Sequence, residues 1–437
     1  MPRPSLLCFS LCCTLAGGAA TGAAQQLTET DRAQAVAVVW ASAKYNYAGW
    51  DRVRADWDSA LAANLTLSRA PQSDAVFWRR LQQMVALLED GQAEVTPSPW
   101  LGARIGRPPI LLRAVEHRPL IMDYAENNEM RVARPERLAE VVAVQGVPAE
   151  RWIRDSILPA VSASTPEARW ARAVDRMLEG DRGTALHLQI RLGSGEERGA
   201  SVTRSVSVLE PWPLEPPSVE VDTLEAGVVW VRINSFADPD VVDRFDHDLP
   251  DFSRVQGLIV DLRDNAGGTL DAGYRILARL SGKPFVTLAW RTPQYRPAYQ
   301  AADMPDSAGS WLGGPADTIA PRTDRPVFTG PLVVLSSPRT AGAAVEFLAT
   351  FRNARRGPIV GEASAGEVGV VRTFALPKGW SFRVSVTREA FPDGTEFAAT
   401  GIPPEMPVTV LLRDVLAGKD AGLDRARAYL ATVHLPN

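Results

Sequence analysis

From about residue 225 the chain alternates near-continuous apolar runs with amphipathic stretches. "GVVWVRI", "GLIVDLRDN", "GPLVVLSSP" and "GPIVGEA" read as strands, separated by the helical "DVVDRFDHDL", "TLDAGYRILARL" and "AGAAVEFLATFRNA". Strands apolar on both faces, alternating with helices, predict a largely buried parallel sheet. Ligands of such sheets sit beyond the carboxyl ends of the strands. That puts "DLRDNAGG" and "SSPRTAGAA" at the rim. The stretch 291–327, rich in Pro, Asp, Ser and Thr without clear period, predicts a long loop or flap.

Residues 28–90 follow a helical pattern instead. "TETD" resembles a capping box ahead of "AQAVAVVWASAKYNY", "DWDSALAANL" predicts a second helix, and a third starts near Ser73-Asp74 and stops by Gly91. Trp40, Trp50, Trp57 and Trp78 are expected in its core. Between about 107 and 210, short β-branched runs mix with helical pieces such as "PEARWARAVDRMLEG", predicting a small α+β module. The Pro-rich "EPWPLEPPSVE" marks a boundary near 210–220.

At 437 residues, two or three domains are expected. With 46% hydrophobic and 22% charged residues and a net charge of −4, nothing points to nucleic acid as a partner. The N-terminus carries Arg3, an apolar run from Leu6 to Leu15, and small residues ending at Gly22-Ala23-Ala24. This predicts a signal segment, 1–24, cleaved before Gln25, with export to the periplasm or outside the cell. The apolar run is too short for a transmembrane segment, which takes about 20 residues. Lipid attachment at Cys12 or Cys13 stays open. Cys8, Cys12 and Cys13 are the only cysteines, so the processed chain is expected to lack disulfides and thiol chemistry. The four histidines show no metal-ligand spacing, and no metal or other cofactor is expected.

Two segments could carry chemistry. In "LIVDLRDNAGGTLDAG", Gly267 and Gly268 let a ligand approach main-chain N–H groups closely, and a turn entering a helix presents free N–H groups to an oxyanion or carboxylate. A plain strand-to-helix turn reads equally well from this stretch alone. "SSPRTAGAAVEF" has the same anatomy, with the N–H groups around Gly342 and Ala343 at the rim, and "GEASAGE" supplies a third Gly-rich loop.

These segments, in this order, resemble the C-terminal processing, or tail-specific, serine peptidases, in the branch of the tricorn protease core and interphotoreceptor retinoid-binding protein. "KYNYAGWDRVRADWDSAL" is similar to the branch's Lys-Tyr…Asp-Trp-Asp signature, and "LLEDGQAEV" to its Leu-x-Asp-Gly-His-Thr turn. "VVAVQGVPAERW" resembles the PDZ-like module and "LIVDLRDNAGG" the Asp-x-Arg-x-Asn-x-Gly-Gly stretch. "GEASAGEVG" corresponds to Gly-Glu-x-Thr-x-Gly, and "FPDGTEFAATGIPPEMPV" to the closing Gly-x-Gly-Ile-x-Pro-Asp. The resemblance implies an α/β fold: an N-terminal helical region (25–105), a PDZ-like α+β module (106–210) and a ClpP/crotonase-like βα core (211–437).

Position by position, the implied catalytic site is depleted. The nucleophilic serine of Thr-x-Ser-Ala-Ala-Glu-Glu-Phe falls on Gly342, the lysine of the lysine-dyad members on Glu367, and the histidine of the Asp-Gly-His turn on Gln92. Glycine cannot attack a carbonyl, and glutamine cannot take a proton near neutral pH. The resemblance therefore implies a protein that binds peptides or unstructured protein segments at Gly267, Gly268 and Ala343 and cleaves them poorly or not at all. Two alternatives stay open. One is hydrolysis through a relocated nucleophile (Ser337 or Ser364, with Ser336 and Thr340 nearby) or through water activated by Glu346, Glu362, Glu367 or Glu396. The other is carriage of a small apolar ligand. Asp261 and Arg263 are expected to anchor the rim as an ion pair, Glu362 and Asp393 to hold loops, and His117, His187 and His247 to be surface or core residues.

Overall fold

The computed structural model describes residues 26–213, 215–249, 251–295 and 311–433. The predicted signal segment with its cysteines, His434, and residues 296–310 of the predicted loop lie outside them.

Helices α1 (Glu29–Asn46), α2 (Trp57–Ser68) and α3 (Asp74–Ala86) open the described chain. Each begins at a side chain that accepts from first-turn N–H groups: Thr28 in a capping box with Asp31, then Asp56 and Ser73. Val36, Phe77, Leu81, Trp57 and Trp78 are buried together, with Trp40 and Trp50 packed against them. The helices do not close this core alone. Trp380 and Phe382, from the far end of the chain, are buried in it.

After the short strand β1 (Glu94–Thr96) come β2 (Ile110–Val115), β3 (Arg118–Tyr124), β4 (Glu140–Val144), helix α4 (Pro166–Arg176), β5 (Ala185–Arg191) and β6 (Glu197–Thr203). Strands β2 to β6 form an antiparallel sheet in that order. On β5, Leu186, Leu188 and Ile190 are buried whereas Ala185 and His187 are exposed, the alternation of a sheet with one wet face.

The remaining elements are β7 (Val219–Thr223), β8 (Val228–Ile233), α5 (Val241–Asp248), β9 (Gly257–Asp261), α6 (Leu270–Leu277), β10 (Ala289–Pro293) and β11 (Trp311–Gly314). They continue with β12 (Leu332–Ser336), α7 (Ala343–Asn353), β13 (Ile359–Gly361), β14 (Val371–Ala375), β15 (Ser381–Ser385), β16 (Arg388–Ala390), β17 (Met406–Pro407) and α8 (Ala421–Val433). The main sheet runs β7-β8-β9-β12-β13-β17, with β7 antiparallel and the rest parallel. Leu258 stands opposite Leu332, and Val334 opposite Ile359. Every residue of β9, β12 and β13 is buried. Leu258, Val260, Leu332 and Val334 meet Phe245, Ile276 and Phe347 of α5, α6 and α7, while Ile259, Val333 and Leu335 meet Ala426 and Leu430 of α8. Cover on both faces is why these strands lack polar alternation.

The predicted 291–327 loop needs correction. β10 pairs antiparallel with β11 and with β16, and Thr318–Ile319 pairs with Phe285–Val286. These strands are set by partners distant in sequence, not by a local period. A second long-range pairing joins β1, β15 and β14 in one sheet, carrying the hairpin of β14 and β15 onto the N-terminal helices.

Candidate functional site

Neighbouring strands β9, β12 and β13 end level, with Asp261 opposite Leu335 and Ser336 opposite Gly361. The loops that follow therefore converge. Arg263 anchors the first as expected, with its guanidinium on Asp261 (2.6 and 2.9 Å) and on Asp420 (both 2.8 Å). Asn265, fully buried, donates to the Ile233 carbonyl at 3.0 Å and accepts the Gly267 N–H at 2.8 Å. Main-chain bonds lace the three loops together: Ala341 N–H to Asn265 O at 3.0 Å, Ala365 N–H to Thr340 O at 2.9 Å, and Gly342 N–H to Glu367 O at 2.8 Å.

Gly342 is the N-cap of α7, with φ 56° and ψ −129°. This is backbone that favours glycine. An added Cβ would sit 3.3 Å from the Ala266 carbonyl oxygen and 3.5 Å from the Gly267 Cα, close but not excluded. Gly267 and Gly268 differ in this respect, since a Cβ would come within 2.9 Å of the Ala343 nitrogen at the first and 2.1 Å of the Ala237 nitrogen at the second. The bareness of Gly267 keeps the first turn of α7 uncrowded, and that of Gly268 lets the loop pack on the Phe236–Ala237 backbone. Among the described residues, the N–H groups of Gly268 and Ala343 have no hydrogen-bond partner. The Gly267 N–H, expected to face a ligand, is instead taken by Asn265.

Gly268, Gly342 and Ala343 line a cavity of about 1230 Å³, together with Gln92, Glu367 and Trp290. Gln92, Gly342 and Glu367, the positions that the resemblance implies for base and nucleophile, thus share one cavity, bounded by the helical region, the antiparallel module and the main sheet. Glu367 is buried and receives two contacts of 2.8 Å from Arg172 of α4. Burial alone would lower the Arg172 pKa, but the Glu367 charge and hydrogen bonds outweigh it and hold the guanidinium above its ordinary value. Gly91 makes room for this pair: a Cβ there would lie 1.8 Å from Glu367 Oε1. The Gln92 amide donates to the Gly369 carbonyl at 3.1 Å and to Ser385 Oγ at 3.2 Å. Buried Asp90 accepts the Ser385 N–H and hydroxyl, both at 3.0 Å.

Elsewhere on the cavity lining, the Tyr274 hydroxyl donates to Glu346 Oε1 at 2.6 Å, and the Thr387 hydroxyl to Glu389 Oε1 at 2.8 Å. Burial pushes the Glu346 carboxyl up, and pushes Glu389 up to about 7. Arg172, Tyr274 and Glu389 were not among the predicted site residues. Arg172 sits in an ordinary amphipathic helix and Glu389 in a three-residue strand, so neither carries a sequence signal.

The proposed substitute nucleophiles lie elsewhere. Ser337 donates its hydroxyl to the Arg263 carbonyl and lines a separate cleft, together with Glu362. Buried Ser364 accepts the Ile402 N–H at 2.9 Å and does not line the cavity. Glu396 is held by Arg291 and Arg388, and Asp393 accepts the Thr395 N–H at 2.9 Å. His117 packs at 5.3 Å against Trp170, while His187 and His247 are exposed. At the start of α7, Gly268 and Ala343 line the cavity with N–H groups that lack a partner among the described residues, and residue 342 brings no side chain.

Residues 227–408 match the profile of peptidase family S41. The chain is 25% identical over 280 residues to carboxyl-terminal-processing peptidase 2, chloroplastic, of Arabidopsis thaliana, covering 63% of this chain and 50% of that protein. It is 26% identical over 287 residues to the carboxyl-terminal-processing protease of Synechocystis sp., covering 64% and 59% respectively. The chain thus spans little more than half the length of these relatives. Its fold is similar to the crystal structure of mature CPAF, with a TM-score of 0.68 at 16% identity, covering 93% of this chain and 96% of the other.

Proposed function

Because the chain belongs to the C-terminal processing peptidase family, we propose that it is a peptide-binding member of that family whose proteolysis is impaired or absent. One observation carries the reading: Gly342 stands at the start of α7, beside the N–H groups of Gly268 and Ala343, which lack a partner among the described residues. Those groups would receive a peptide carbonyl or terminal carboxylate, as an oxyanion hole does. Gln92 is held by Gly369 and Ser385, and Glu367 is paired with Arg172, so neither expected base position is free to serve residue 342. Loss of a triad member leaves roughly 10³–10⁴-fold residual catalysis over water at most. The bound species would be peptides or unstructured protein segments, met after export through the 1–24 signal into the periplasm or the extracellular space.

The test pairs binding with cleavage. Fluorescein-labelled β-casein should bind the natural protein without fragmenting, and Gly342→Ser alone should gain no turnover, since neither Gln92 nor Glu367 can serve as its base. Cleavage by the natural protein at ordinary protease rates, with a contaminant ruled out, would overturn the reading.

A second reading, hydrolysis by carboxylate-activated water, is supported by Glu389 standing in the same cavity with a pKa of about 7. Slow casein cleavage abolished by Glu389→Gln would favour it.

A further inference from the structure

Strand β14 is the edge of the sheet ordered β1-β15-β14. In an antiparallel ladder, pairs that exchange hydrogen bonds alternate with pairs whose main-chain groups point the other way. The phase is fixed at both ends of β14. The Val386 N–H donates to the Val370 carbonyl and the Leu376 N–H to the Trp380 carbonyl, each at 2.8 Å. Between these, Arg372 faces Val384 and Phe374 faces Phe382 in the same phase. The main-chain groups of Val371, Thr373 and Ala375 therefore point off the open edge. Among the described residues, none of them has a hydrogen-bond partner.

The side chains divide by face. Phe374 stacks on Phe382 with ring centres 6.3 Å apart and packs on the N-terminal helical core. Val371 and Arg383, on the opposite face, line the cavity that holds Gly342. Only three residues separate β14 from Glu367, whose carbonyl receives the Gly342 N–H. Val370, 53% exposed, forms the lip between edge and cavity.

We propose that the open edge of β14 takes the backbone of an extended polypeptide as an added strand and delivers it over Val370 and Val371 to the rim at Gly342. The proposal rests on the peptide-binding reading above. Unpaired edges are ready templates for strand addition, in which main-chain bonds give affinity independent of sequence. The edge runs without interruption into the cavity, which argues for a peptide as occupant. A second copy fits less well, since pairing two five-residue edges buries far less than the roughly 1,200 Å² of a specific interface.

The test follows amide hydrogen exchange in the whole protein with and without β-casein. Slowed exchange at Val371, Thr373 and Ala375 on binding is the expected result. Thr373→Pro removes one outward N–H without touching the bonds to β15, since proline is tolerated on the open side of an edge strand. It should weaken casein binding about tenfold, the equivalent of one or two hydrogen bonds, whereas Thr373→Ala, which keeps the N–H, should not. If Thr373→Pro fails to fold, the exchange result on the natural protein decides. Casein binding with unchanged exchange at these amides would overturn strand addition and leave the peptide-binding reading standing. No casein binding at all would overturn both. Protection that rises with protein concentration in the absence of casein would give the edge to a second copy and overturn the proposal.

Discussion

One guanidinium nitrogen of Arg172 reaches both carboxylate oxygens of Glu367, 2.8 Å from each. The other terminal nitrogen donates to the Gly91 carbonyl at 2.9 Å and the Ser162 carbonyl at 2.7 Å. Arg172 therefore clamps the turn before Gln92, the antiparallel module and the rim loop at a single point. Arg172→Met strands a carboxylate that is 4% exposed and should cost about 3 kcal/mol. Arg172→Met with Glu367→Gln should recover much of that loss, because no charge is left buried. Chemical denaturation of both variants checks this; unchanged stability in Arg172→Met would remove the clamp from the account.

The same contact bears on rebuilding a lysine dyad. Glu367→Lys would set an ammonium against the Arg172 guanidinium, so Gly342→Ser with Glu367→Lys should be less stable than Gly342→Ser alone. Gly342→Ser itself must hold a side chain at φ 56° and ψ −129°, at a cost of about 1–3 kcal/mol. Gly342→Ala should lose a similar amount, because the cost lies in the backbone. Thermal denaturation separates these effects. A Gly342→Ser protein as stable as the natural one would mean that the loop relaxes around the new Cβ.

Much of this was legible in the sequence where the cause is local. Thr28, Asp56 and Ser73 marked helix starts because capping is a matter of three or four residues. The apolar runs of β9 and β12 marked a doubly covered sheet. Gly342 could be singled out because a strand-to-helix turn is contiguous. The pairing of Glu94 with Arg383, across about two thirds of the chain, could not be read in this way. Nor could Arg172 or Glu389: both become site residues only when distant segments close over the rim. Ser337 and Ser364 were attractive by sequence proximity, yet hydrogen bonds to Arg263 and Ile402 direct their hydroxyls elsewhere.

Glu389 predicts a pH dependence. Burial, with a smaller contribution from the Glu346 charge, raises its carboxyl from an ordinary value of 4.5 to about 7. Between those values the unfolded chain has released a proton that the folded protein retains, so stability falls as pH rises through this window. The loss should be on the order of 3 kcal/mol between pH 4.5 and pH 7, and Glu346, shifted the same way by burial, adds to it with the same sign. Glu389→Gln should flatten the profile. Urea denaturation at pH 5, 6, 7 and 8 measures it, and parallel curves for variant and natural protein would refute the assignment.

Asp264 predicts the opposite sign and a longer reach. Its carboxylate lies 2.9 Å from Arg339 and 3.3 Å from Arg113, with Arg232 also in contact, and Asp175 pairs with Arg113 and Arg339 on the far side. Burial pushes the Asp264 carboxyl up, but Arg113, Arg339 and Arg232 outweigh it and hold it well below the usual carboxylate range. Its contribution is therefore present above the ordinary value of 3.8 and is lost as pH falls below it. Arg113 and Asp175 come from the antiparallel module, whereas Arg232, Asp264 and Arg339 come from the main sheet and its loops, so the cluster fastens one to the other. Asp264 directly precedes Asn265, and Arg339 directly precedes Thr340, the two side chains that lace the rim. Asp264→Asn leaves Arg113 and Arg339 sharing Asp175 alone and Arg232 with only Glu220, 3.7 Å away, and should cost about 2–4 kcal/mol. It should also speed amide exchange at Ala341 and Gly342, whose N–H groups are held by the Asn265 and Glu367 carbonyls. Lower stability with unchanged exchange at those amides would confine the cluster to holding the module, and would separate it from the geometry of the rim.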